Sequence, residues 1–115
     1  MHTPYPPFAA IEQAMSAVIV EMRAREIRLK NVEFVTTSRE GDNSLVVLIF
    51  YESDSDVAIY DGDGTTEAIR LKFQDELAAS KSQFSFSQLP NMSFVFDSHE
   101  NVVKNFEGNY FLRLK

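Results

Sequence analysis

Seven consecutive apolar residues, Leu45-Val46-Val47-Leu48-Ile49-Phe50-Tyr51, form the longest unbroken apolar run in the chain. The run is too short for a membrane span, which needs about 20 residues. It is rich in the β-branched and aromatic side chains that fit a pleated surface. Successive side chains of a strand point to opposite faces. A strand apolar on both faces must be covered on both, either by packed layers or by helices on one side and an interface on the other. The run therefore predicts a central strand. Val32 to Arg39 reads as a second strand, and Glu40-Gly41-Asp42-Asn43 as the turn between them.

Upstream, Phe8, Ile11, Met15, Val18 and Met22 recur at spacings of three and four, which places one apolar stripe on a helix spanning about 7–29. Pro7 suits its first turn, and Arg23, Arg25, Arg28 and Lys30 gather at its end, where cations complement the dipole. Downstream, Glu52 to Asp56 reads as an acidic loop and Val57-Ala58-Ile59-Tyr60 as an optional short strand. Asp61-Gly62-Asp63-Gly64 is a turn signal. Thr65 or Thr66 can cap a second helix, along which Ile69, Phe73 and Leu77 repeat every four residues to about Ser80. The rest reads as strands: Phe84 and Phe86, then Met92, Phe94 and Phe96, alternate with polar residues. Val102 to Phe106 returns after a turn, and Gly108-Asn109 turns into the alternating Tyr110, Leu112 and Leu114.

Segregated helices and strands with short connections indicate an α+β domain. The expected architecture is an antiparallel sheet of about five to six strands with two helices packed against it, in the order α-β-β-(β)-α-β-β-β. A length of 115 residues fits a single domain, 1–115, with 1–6 as a flexible N-terminal tail. At that size folding buries roughly 65% of the unfolded surface, enough for a core without metal or disulfide.

The chain contains no Cys, which points to a cytoplasmic location and removes thiolate ligands and a Cys nucleophile. Its start, Met-His-Thr-Pro-Tyr-Pro-Pro-Phe, lacks the basic and apolar regions of a signal peptide. The net charge is −6, from 17 acidic and 11 basic residues. Seven of the acids, Glu40, Asp42, Glu52, Asp54, Asp56, Asp61 and Asp63, lie in one segment without a single Lys or Arg. The remaining chain is close to neutral. Such a segment disfavours nucleic acid as a partner, because phosphate binding needs the opposite sign.

Several short patterns look like chemistry. Val57 to Thr65, with Asp61-Gly62-Asp63-Gly64-Thr65, resembles the first motif of the haloacid-dehalogenase superfamily, in which Asp61 would be the nucleophile and Asp63 the acid/base. The match covers nine residues, and the chain beyond Thr65 reads as one helix and a β meander rather than a Rossmann-like domain. A calcium loop starting at Asp61 would need Gly where Thr66 stands and Glu where Lys72 stands. A dinucleotide fingerprint starting at Gly62 would need a third Gly where Glu67 stands. Asp97-Ser98-His99 names the residues of a triad, but a triad draws its members from separate segments. These patterns assign no catalytic residue, no metal site and no cofactor.

What remains is binding. Glu52, Asp54, Asp56, Tyr60, Asp61 and Asp63 are the expected partner-binding residues: the carboxylates attract a basic protein surface, and Tyr is a side chain favoured at interface centres. The order of elements resembles the YezG-like family of small bacterial immunity proteins. The residues that carry the resemblance are Ile11–Met22 as the first helix, Ser44–Tyr51 as the aromatic-ending strand and Leu71–Leu77 as the second helix. Ser93–Asp97 with Asn101–Tyr110 would be the closing hairpin. The resemblance implies an antitoxin that neutralises a cognate toxin, often a nuclease, by covering its basic cleft. The partner is then a basic protein domain, with no nucleic acid and no membrane, and the chain itself is a monomer or a homodimer. The alternative class is a type III secretion-type chaperone that binds an extended segment.

Overall fold

The structure, a computed structural model, describes residues 4–39 and 42–114. Helix α1, Phe8–Ala24, follows the apolar stripe of the sequence: Ile11, Met15, Val18 and Met22 are all buried, each worth about 1.5–3 kcal/mol relative to exposure. The helix stops five residues before the expected 29. Glu26 takes a left-handed conformation at φ +61°. The Ile27 N–H then bonds the Met22 carbonyl at 2.8 Å and the Glu26 N–H bonds the Arg23 carbonyl at 3.0 Å. This is a Schellman termination, usually marked by Gly, here built on Glu.

Strands β1, Asn31–Arg39, and β2, Asp42–Tyr51, form an antiparallel hairpin in which Phe34 faces Val47. Part of the expected turn, 40–41, lies outside the described residues. Helices α2, Asp54–Gly62, α3, Thr65–Ala79, and the single turn α4, Lys81–Phe84, carry the chain back to β3, Asn91–Ser98. β3 lies parallel to β2, with Val47 beside Phe94 and Ile49 beside Phe96. Helices α5, His99–Asn105, and α6, Tyr110–Arg113, complete the fold.

The fold is α+β, but its sheet differs from the expected one. Among the described residues it has three strands in the order β1-β2-β3, with mixed directions, and six helices. Three expected strands are helical, each for a local reason. Val57 to Tyr60 lies inside α2, because the Ser53 hydroxyl accepts the Asp56 N–H at 3.2 Å and starts a helix there. Val102 to Phe106 begins in α5, capped by Ser98, whose hydroxyl accepts the Asn101 N–H at 2.9 Å. Tyr110 onward is α6, capped by Asn109. Phe84 and Phe86 do not alternate in a strand; they flank Ser85, at φ +55°, and both pack into the main core.

β2 is the central strand, with both faces covered. Leu45, Val47, Ile49 and Tyr51 meet Val32 and Phe34 of β1, Met92, Phe94 and Phe96 of β3, and the buried stripes of α1 and α3. On the opposite face, Leu48 and Phe50 pack with Val102, Phe106, Tyr110 and Leu114. The molecule is thus layered as helices, sheet and a C-terminal helical cover. The Pro4 carbonyl accepts the N–H groups of Ser87 and Gln88, holding the described start of the chain against the approach to β3. Among the described residues no helix is long and apolar enough to cross a membrane.

Candidate functional site

The parallel strands β2 and β3 end side by side at Tyr51 and Ser98, and each leads directly into a helix. The two helix starts are tied together. The Asp54 N–H donates to the Glu100 carboxylate at 2.9 Å, and the Glu100 N–H donates to the Glu52 carbonyl at 3.1 Å. The Ser98 hydroxyl donates to the Asp54 carboxylate. The Glu100 carboxylate thus satisfies a donor in the first turn of α2, where the dipole favours negative charge, and the Glu52 carbonyl satisfies one in the first turn of α5. The Asp54 N–H, together with Lys104, holds the Glu100 carboxyl below the usual carboxylate range.

The acidic residues selected from the sequence fall mostly on α2, whose nine residues span about 13 Å. Glu52 precedes the helix and lies 3.7 Å from Lys30. Asp54 and Asp56 occupy the first turn, and Asp61 and Asp63 the exposed far end. Among the described residues no Lys, Arg or His stands within ion-pair distance of Asp54, Asp56, Asp61 or Asp63. The Thr65 hydroxyl and N–H hold Asp63 below its ordinary pKa, so it stays ionised.

Tyr60 is placed differently from the carboxylates. It is half-buried, with its ring 4.9 Å from that of Tyr51, and belongs to the margin of the core. Tyr51 is wholly buried and its hydroxyl bonds Thr66 at 2.8 Å. Burial pushes it up to about 12, against the Thr66 bond and with help from Asp63, Tyr60 and Asp61, so it is a neutral hydroxyl. The residue missed in the sequence is Ile59. It stands 57% exposed on α2, three positions after Asp56 and four before Asp63, hence on the same side of the helix. Ser53-x-x-Asp56 ahead of the apolar run was the signal that Val57–Tyr60 is helical.

The other candidate chemistries come apart. Asp61 lies on the last turn of a helix rather than at the tip of a strand, so the dehalogenase-type nucleophile geometry is not formed. Asp97, Ser98 and His99 each face a different partner: Arg113 at 2.6 Å, Asp54, and the Tyr110 hydroxyl at 2.6 Å. Among the described residues no three His, Asp or Glu side chains come together as a metal-ion site. No family model, no curated protein and no solved structure matches the chain.

Proposed function

We propose that the chain works by binding a basic protein through α2, in the manner of an immunity protein or antitoxin. The observation that supports this reading is that Asp54, Asp56 and Asp61 lie on one short helix, that Asp63 caps its end, and that no cation of the described residues neutralises them. Ile59 adds an exposed apolar side chain among them, and a desolvated apolar anchor within a charged rim is the usual anatomy of a binding surface. A strongly basic patch is the electrostatic footprint of proteins that handle nucleic acid. The partner class is therefore a nucleic-acid-binding protein, of which a toxin nuclease is the case implied by the YezG-like resemblance.

The test begins with co-purification of the partner from the host, followed by stopped-flow association. Asp56→Lys with Asp61→Lys should slow association by about tenfold or more at low salt and flatten its salt dependence. Association and salt slope unchanged from the parent chain would sink the reading.

A further inference from the structure

An open groove runs between the C-terminal half of α1 and the beginning of β1. Its deeper end, about 490 Å³, has Ile19, Ile27 and Leu29 as its floor and Arg23, Arg28 and Lys30 at its rim. A continuation of about 390 Å³ follows the strand past Asn31 and Val32 to Phe34. Among the described residues Arg23 and Arg28 make no ion pair, and Lys30 has only the 3.7 Å contact with Glu52. Leu29, Lys30, Asn31 and Val32 line the groove consecutively. Leu29 and Lys30 lead into β1, and its first residues Asn31 and Val32, which face opposite sides of the strand, both line the groove, so the wall here runs along the edge of the strand. Among the described residues β1 is an outer strand with β2 as its one neighbour, and the other edge of an outer strand presents unpaired backbone donors and acceptors.

We propose that this groove binds an extended acidic segment of another protein, laid along β1 as an added strand with alternate apolar side chains on the Ile19–Leu29 floor. Backbone pairing supplies affinity in such complexes, and the pockets for alternate side chains supply selection. Charge sets the location. The chain is net negative, and its acidic helix α2 repels an acidic segment, whereas the rim of the groove attracts one. A nucleic-acid strand fits less well. Sequence-tolerant binding of single strands relies on aromatic platforms for the bases. Phe34, the one aromatic of the lining, is already edge-on to Phe8 and stacked on Phe73. Glu12 and Glu26 also stand in the lining, where they oppose a run of phosphates more than spaced carboxylates.

The experiment is selection from a displayed random peptide library against the full chain. Enriched peptides should alternate Asp or Glu with aliphatic residues and shift the backbone amide resonances of residues 29–34. Arg23→Glu with Arg28→Glu should weaken them about tenfold or more; both positions are exposed, so the variant should still melt cooperatively, lowered only by the loss of the Arg23 charge at the end of α1. Asp56→Lys with Asp61→Lys should leave their affinity within about twofold, because α2 is a separate surface. Failure to enrich acidic peptides overturns the proposal. So do peptides that bind the double Arg variant as tightly as the parent, or a single-stranded oligouridylate that displaces them at equal concentration.

Discussion

Ser98 is wholly buried yet polar, and its hydroxyl is engaged on both sides: it donates to Asp54 and accepts the Asn101 N–H. It is at once the cap of α5 and the link to α2. Ser98→Ala removes both bonds and leaves the Asp54 carboxylate short of a donor, so the variant should lose about 1–2 kcal/mol in urea unfolding. A midpoint within error of the parent would mean that water replaces the hydroxyl. Asp97, beside it, is governed by opposing effects. Burial raises its pKa, but the Arg113 guanidinium, the Ser98 N–H and the Asn101 amide together bring it below the ordinary value. A carboxyl with a depressed folded pKa contributes stability that is complete above the unfolded value and is lost as pH falls through the folded one. The acid limb of the stability curve should therefore flatten in Asp97→Asn, as measured by denaturation at a series of pH values below the ordinary carboxylate range. An acid limb identical to that of the parent would assign it to other carboxyl groups.

At the scale of elements, the ends of helices carry the specific devices. α1 closes on Glu26 at φ +61°, a conformation that costs a side-chain-bearing residue about 1–2 kcal/mol. Glu26→Gly should stabilise the protein by roughly 0.5–1 kcal/mol, the relief of strain being partly offset by a more mobile unfolded chain. A lower melting temperature would show that the Glu26 side chain matters more than the backbone. Legibility from sequence divides along the same line. Long periodic segments were readable: the stripe of α1, the repeat of Ile69, Phe73 and Leu77 in α3, and the doubly covered β2. Short segments were not. Tyr110 and Leu114 satisfy both a period of two and a spacing of four, so the apolar pattern cannot choose between strand and helix, and the Asn109 cap decides. The parallel pairing of β3 left no local trace, because it depends on where α2 and α3 return the chain. The acidic residues of the candidate site were legible as a cluster. That Asp54 also serves the packing of α5, and that Tyr60 turns inward, emerged only from the helical form of 54–62.

For the molecule as a whole, the C-terminal cover is as much a part of the core as the larger helices. Tyr110 meets Phe50 edge-on at 4.8 Å, and Arg113 ties the cover to Asp97. A chain ending at Phe106 should lose about 3 kcal/mol or more and expose enough of the sheet to bind a hydrophobic dye. Parent-like stability would show that α5 alone protects that face. The position of β2 has a further consequence during synthesis. β1 and β2 can zip together as soon as both have emerged, but the far side of β2 stays bare until α2, α3, α4 and β3 have been made. Over that interval the most apolar stretch of the nascent chain is a sticky ribbon, and the cell must either outpace its aggregation or shield it.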